Sequence, residues 1–322
     1  MAKFVAKRFV YMIITLFLVF TATFFLLASI PGNALTMKIH KLPAQAQERI
    51  MQKYGYDKPA GERYLLTLKN VVTKGDFGES IAKSGDTLGS ILQKRLPPTV
   101  RLNIQQMIVG VTLGLILGII AAMKRAKAPD FIILIFCMFM TSVPSLVIAL
   151  ILQLTLTGPS GLLHLPIIGW PKGKDLWFGG WQFTILPTFA GALFYVAGYA
   201  RTTKIAMLDS IYQECTTTAR AIGMSETQVM LHHVVRNSFI PIVTFLPGTI
   251  AGMLSGSLFI ERVFSVPGIG SYYVECITQR DVPMVLGFTV FYSAITIVSI
   301  FVSDVLYGIV DPRIKLVSGS SR

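Results

Sequence analysis

Charge is scarce in this chain: Asp, Glu, Lys and Arg make up 14% of its 322 residues, where a soluble domain carries about 25%. Acidic residues are scarcest, 16 against 29 Lys plus Arg, for a formal charge of +13. In a soluble protein that balance would point to nucleic acid or an anionic surface. Here the basic residues flank apolar runs, as membrane anchoring requires. Cysteine is limited to Cys137, Cys215 and Cys276, expected in a bilayer span, a cytoplasmic loop and an external loop. They cannot pair within the chain, show neither CxxC nor Cys/His ligand spacing, and read as isolated small apolar residues. No Gly-x-x-x-x-Gly-Lys-Ser/Thr phosphate cradle occurs, so the chain has no place for ATP to bind in the usual manner. Paired carboxylates, a Ser/His/Asp set and a basic-aromatic nucleic-acid surface are missing too, and no catalytic site emerges. His232 and His233 are adjacent, about 100° apart on a helix, and cannot chelate a metal as an i, i+4 pair does.

What the sequence has is apolar length. Hydrophobic residues are 53% of the chain and the mean hydropathy is +0.63, outside the range of ordinary soluble domains. Crossing about 30 Å of hydrocarbon takes about 20 mostly apolar residues. Six stretches approach this: 9–30, 102–123, 131–156, 185–200, 240–258 and 285–307. The first follows Lys3, Lys7 and Arg8 and is too long for a cleaved signal peptide, so it reads as a retained span. Only Asp304 interrupts the six with charge.

Lys and Arg in short loops set orientation. Lys3, Lys7 and Arg8, then Lys124, Arg125 and Lys127, then Arg201, Lys204, Arg220 and Arg236, then Arg313, Lys315 and Arg322 all fall on one side. This predicts cytoplasmic N- and C-termini. The opposite loops carry only Lys172 and Lys174, then Arg262 and Arg280, besides a segment over 31–101 too long for the rule. The expected organisation is therefore 1–30 (cytoplasmic N-terminus and first span), 31–101 (extracellular segment), 102–310 (five-helix core with a cytoplasmic loop over 201–239) and 311–322 (cytoplasmic tail).

Within the external segment, Pro43 and Gly55 bracket a short predicted helix. Trp170, Trp177 and Trp181 share one external loop and read as an aromatic belt. Gly110, Gly114 and Gly118 recur every four residues, placing three side-chain-free positions on one helix face. Pro144 and Pro247 predict kinks in the third and fifth spans. The 201–239 loop is too long for a mere connector. Thr217 to Ala221 reads as helix, Gly223 as its stop, and Ser225 as the N-cap of a second helix from Glu226 toward Asn237.

These loop residues resemble the membrane subunits of ATP-binding-cassette importers, whose loop has the form Glu-Ala-Ala, three residues, Gly, nine residues, Ile-x-Leu-Pro. Gly223 occupies the central glycine. Thr217-Thr218-Ala219 replaces Glu-Ala-Ala and His233-Val234-Val235-Arg236 replaces Ile-x-Leu-Pro. Thr218-Ala219-Arg220-Ala221-Ile222-Gly223 and His233-Val234-Val235-Arg236-Asn237 match the dipeptide and oligopeptide branch of that family. The likeness extends through Ile30-Pro31-Gly32, Gly75-Asp76-Phe77-Gly78-Glu79-Ser80, Arg95-Leu96-Pro97-Pro98-Thr99, the run from Ile260 to Gly270, Arg280-Asp281-Val282-Pro283 and Asp311-Pro312-Arg313-Ile314.

The resemblance implies an all-α integral membrane protein with about six transmembrane helices and the type I importer permease fold, in a prokaryotic cell membrane. It implies a translocation path for dipeptides or oligopeptides shared with a sister permease, two cytoplasmic ATPases holding ATP and Mg, and an extracellular peptide-binding lipoprotein. No cofactor is implied in this chain. The ATPase-coupling loop would comprise Ala219, Arg220, Ala221, Gly223, Met224, Ser225, His233, Arg236 and Asn237. Nickel, metallophore or glutathione import is the nearest rival within the branch. An ion-coupled transporter would be expected to place ionisable residues or broken helices near mid-membrane, and these spans lack such charges; a scaffold without transport is the third reading.

Overall fold

In hydrocarbon every backbone polar group needs a partner within the protein, which leaves helices as the economical way for apolar runs of this length to be structured. The computed structural model describes residues 2–30, 43–53, 55–159, 161–171 and 177–310. Ile30-Pro31-Gly32 beyond its first residue, Lys172, Lys174, and Asp311-Pro312-Arg313-Ile314 with the tail lie outside them. Among the described residues helices are the regular elements, joined by loops and turns that hold two isolated β-bridges, Glu79 with Thr87 and Thr157 with Leu165.

The helices are α1 (Ala2–Ser29), α2 (Ala44–Lys53), α3 (Ala60–Lys74), α4 (Leu88–Met123), α5 (Ala128–Ser142), α6 (Ser145–Leu156) and α7 (Trp181–Ile211). They continue as α8 (Glu214–Ala221), α9 (Glu226–Val229), a π-helix (Met230–Val235), α10 (Arg236–Gly256), α11 (Leu258–Val263), α12 (Ile269–Thr278) and α13 (Val282–Val310). Four stretches, Val5–Ser29, Leu88–Met123, Trp181–Ile211 and Val282–Val302, are long and apolar enough to cross a membrane, and α5 with α6 makes five if the pair counts as one span. The stretch expected at 240–258 lies largely in α10, a continuous helix of 21 residues.

Two expectations about the spans change. The third span is not a kinked helix: α5 and α6 meet at 105° across Val143 and Pro144. Pro144 takes the N-cap position of α6, where its missing N–H is no loss. α4 begins fourteen residues before the expected span start and runs through Pro97 and Pro98.

The chain divides into two compact units. The first, Met1–Thr99 with Pro267–Phe301, packs Leu88 and Ile91 of α4, Ile269, Tyr272 and Cys276 of α12, and Met284, Val285 and Phe288 of α13 into one core. Tyr64 of α3 stacks on Phe25 and meets Phe24 edge-on, and its hydroxyl lies 2.8 Å from Thr21 Oγ1, fixing α3 along α1. The fully buried Asp281 carboxylate holds the loop after α3. Ser80 Oγ donates to it at 2.5 Å, and the backbone N–H groups of Ile81 and Ala82 each donate at 3.2 Å. Ser80→Ala removes the shortest of these donors from a buried charge. It is expected to cost about 1–3 kcal/mol, read as a lower thermal midpoint of the purified protein; an unchanged midpoint would mean the two backbone donors suffice.

The second unit contains Val100–Val266. Here the glycine stripe meets α7. A Cβ on Gly114 would stand 2.6 Å from Tyr199 Cβ and 3.0 Å from Val196 O, and one on Gly118 2.7 Å from Ala200 O; Gly110 faces Tyr195 in the same way. Gln106, almost fully buried, donates through Nε2 to Pro187 O at 3.1 Å in the space left by Gly191. Lys204 Nζ of α7 pairs with Asp130 at the start of α5 at 2.5 Å, both largely buried. Trp170 corrects the aromatic-belt reading: it is buried in a core with Leu102, Leu186, Ile260 and Phe264, while Trp177 and Trp181 are exposed. The cysteine reading divides too, with Cys137 and Cys276 buried and Cys215 exposed.

Candidate functional site

The residues after α7 turn the chain back on the end of that helix. Thr216, fully buried, donates through Oγ1 to Ser210 O at 3.0 Å, satisfying a carbonyl in the last turn of α7. α8 carries Glu214 in its first turn and Arg220 in its last, the charge order that complements a helix dipole. It ends in a paired cap. Gly223 N–H donates to Arg220 O at 3.0 Å and Met224 N–H to Ala219 O at 3.2 Å, which needs Gly223 at φ +87°. Glycine takes this left-handed conformation without the steric cost of a Cβ.

Ser225 opens the next helix with a capping box. Its Oγ accepts from Gln228 N–H, and Gln228 Oε1 accepts from Ser225 N–H at 3.1 Å. The Ser-x-x-Gln spacing carries that signal in the sequence. Arg220 then forks onto Glu226 across the turn, Nε to Oε1 at 2.8 Å and Nη2 to Oε2 at 3.3 Å. The hydrogen bond from Arg220 holds the Glu226 carboxyl below its usual range, so the pair is intact at neutral pH and is lost as pH falls through that lowered value. Glu226 and Gln228 are contributors that the sequence reading did not single out. Ser225→Ala is expected to weaken this cap by about 1 kcal/mol, seen as roughly fivefold faster hydrogen exchange at Gln228; unchanged exchange would show the cap contributes little.

The second helix does not stop near Asn237 as expected. It passes from α9 through the π-helix into α10 without a break. Val229 and Val234 are both fully buried, and their separation of five residues matches the i→i+5 repeat of a π-helix rather than an α-helical face. Val234 packs with Ala122 and Met207.

The expected coupling residues separate by role. Ala219 is buried beneath the turn, whereas Arg220, Ala221, Gly223, Ser225 and Arg236 are exposed and Met224 and His233 are half-buried. Asn237 Nδ2 donates to Gln213 Oε1 at 3.3 Å and lies 3.4 Å from Cys215 Sγ, tying α10 back to the start of α8. Ser238 Oγ adds a bond to Ser210 Oγ at 3.3 Å. The product is a braced helix–turn–helix whose tip offers Ile222, 74% exposed, and Gly223, around which a Cβ would meet no atom within 4 Å. Such a tip can transmit force as one body, because its two helices are locked to each other and to α7.

Residues 114–316 match the family model described as "Binding-protein-dependent transport system inner membrane component", and residues 1–103 match "Binding-prot-dependent transport system membrane comp, N-term". The dipeptide transport system permease protein DppB of Bacillus subtilis (strain 168) is 35% identical over 318 residues, covering 98% of this chain and 99% of that protein. The oligopeptide transport system permease protein OppB of Haemophilus influenzae is 32% identical over 315 residues, with 98% and 100% covered. OppB of Escherichia coli (strain K12) is 31% identical over the same shares. The helical architecture and these matches agree with the type I importer permease fold that the sequence motifs implied. The chain is a multi-pass membrane protein and belongs to the family of binding-protein-dependent transport system inner membrane components.

Proposed function

We propose that this chain forms, with a sister permease, the translocation path of an ATP-driven importer for dipeptides or oligopeptides in a prokaryotic cell membrane. Curated relatives with peptide-permease names, similar over 98% of this chain, support the cargo class over nickel, metallophore or glutathione. Energy comes from two separate ATPases that carry ATP and Mg, and cargo is delivered by an external peptide-binding lipoprotein. With both termini cytoplasmic, the segment from Ala219 to Ser225 faces the ATPases and serves as the mechanical contact.

The observation that carries this reading is the braced turn itself. Gly223 stands at φ +87° with open space around it, directly beside the exposed Ile222. A rigid lever with an uncovered tip is what a separate motor needs in order to move the attached spans. His233, Arg236 and Asn237 support the second arm, and Asn237 does so through the hydrogen bond to Gln213.

Site-specific cross-linking from position 222 in intact cells tests the contact. Capture of a nucleotide-hydrolysing subunit is expected; labelling of position 222 by an impermeant reagent added outside would reverse the orientation and reject the reading. Uptake of labelled dipeptide and tripeptide into cells lacking other importers tests the cargo. Uptake of nickel but of neither peptide would reject the peptide class while leaving the lever intact.

A further inference from the structure

The first unit holds a cavity of about 550 Å³ for which the proposed transport coupling has no use, within the range of about 300–1,000 Å³ common to small-molecule sites. Phe24 and Leu27 from the end of α1, Leu66 of α3 and Leu286 near the start of α13 give it an apolar wall. Lys58, Arg63, Asp76 and Glu79 give it a charged one.

Its depth follows from the spans. Val5–Ser29 ends and Val282–Val302 begins beside the cavity. At about 1.5 Å per residue, Phe24, Leu27 and Leu286 lie within about 8 Å of those span ends. That is the zone in which hydrocarbon gives way to head groups.

Asp76 Oδ1 accepts from Gly78 N–H at 2.8 Å, but one group of the charged wall is left unsatisfied in a way that points to a ligand. Arg63 Nε is buried without a hydrogen-bond partner, and its guanidinium lies 4.6 Å from the centroid of the Tyr56 ring. Among the described residues no ion pair joins Arg63 or Lys58 to Asp76 or Glu79. The Tyr56 hydroxyl beside the cation is a proton donor at neutral pH as any tyrosine is, and burial pushes it further up, to about 12. Two cations and two carboxylates line one cavity, so a purely anionic ligand would meet repulsion from Asp76 and Glu79, and a purely cationic one from Arg63 and Lys58. A ligand with both charges and an apolar body fits all the walls.

We propose that this cavity holds a zwitterionic aminophospholipid, its phosphate on Arg63 and Lys58, its ammonium toward Asp76 and Glu79, and its acyl chains along Phe24, Leu27 and Leu286. An oligopeptide also carries both charges, but the apolar wall is built from the ends of two membrane spans, where acyl chains already lie. The proposal rests on membrane embedding and is independent of the cargo.

The full chain, purified with its accompanying subunits and reconstituted in nanodiscs with equal phosphatidylethanolamine and phosphatidylglycerol, provides the test by native mass spectrometry after partial delipidation. Retained phosphatidylethanolamine is expected to exceed phosphatidylglycerol by about tenfold, with Asp76→Asn combined with Glu79→Gln erasing the excess, and with Arg63→Ala lowering retention of both lipids where Arg63→Lys keeps part of it. Leu27→Trp, which fills the apolar side, is expected to lower retention as well and serves if Arg63→Ala fails to accumulate. Equal retention of the two lipids by wild type, or unchanged retention in both Arg63→Ala and Leu27→Trp, overturns the proposal. Preference for phosphatidylglycerol overturns the charge assignment, and displacement of lipid by millimolar dialanine would make the cavity a peptide site instead.

Discussion

Gly114→Leu is expected to prevent stable accumulation of the chain, with a loss above about 4 kcal/mol relative to wild type. The reason lies in what opposes the new side chain. A Cβ at position 114 would stand 2.6 Å from Tyr199 Cβ, 3.0 Å from Val196 O and 3.3 Å from Ala200 N. Two of these three atoms belong to the backbone of α7, so no rotamer change relieves them and the helices must separate. In hydrocarbon two helices have no hydrophobic drive to associate; close packing and interhelical hydrogen bonds hold them, and both decay with separation. Displacing α7 also pulls Tyr199 away from Thr249, whose hydroxyl oxygens are 2.8 Å apart in a buried site. Gly114→Ala sets the scale, at about 1–3 kcal/mol for one forced carbon. Fluorescence-detected size exclusion and a thermal midpoint in detergent check the series. A monodisperse Gly114→Leu protein with the wild-type midpoint would show that α4 and α7 do not touch along this stripe.

That contact was legible in the sequence because glycines at a four-residue period leave little choice but a close helix neighbour. The α2 helix between Pro43 and Gly55 and the cap at Gly223 were legible for a similar reason: the residues that stop a helix do so through their own backbone chemistry. The break at Pro144 was not. Proline reports a lost donor, but whether a helix bends or ends there depends on partners distant in sequence, and here the angle reaches 105°. The π-helix was hidden because its signal is the burial of Val229 and Val234, which composition cannot supply. Trp170 was misread because an aromatic near a span end suits both a membrane interface and a core. Pairs such as Ser80 with Asp281, 201 residues apart, and Lys204 with Asp130, 74 apart, lie beyond any local pattern. At the proposed coupling site the turn was visible, while the Arg220–Glu226 fork that stiffens it was not.

Gly223→Val is the substitution that separates folding from coupling. At φ +87° a Cβ carries a backbone cost of about 1–2 kcal/mol, and β-branching adds to it, yet a Cβ there would meet nothing within 4 Å. The strain therefore has no core to disrupt and is relieved locally, by leaving the left-handed conformation. That movement gives up the bond from Met224 N–H to Ala219 O at 3.2 Å and swings Ile222 out of register with the Arg220–Glu226 brace. Membrane insertion and the midpoint of the spans are expected to stay at wild-type values. On the proposed function, peptide uptake and peptide-stimulated ATP hydrolysis by the assembled importer fall by about tenfold or more, since displacing a docked tip by more than about 1.4 kcal/mol is a factor of ten in engagement. Gly223→Asn discriminates between shape and size, because asparagine tolerates the left-handed region; it is expected to retain most of the uptake. Normal uptake by Gly223→Val would remove the turn from the mechanism, and equal losses in Val and Asn would mean that contact with the partner, rather than backbone conformation, is what the glycine serves.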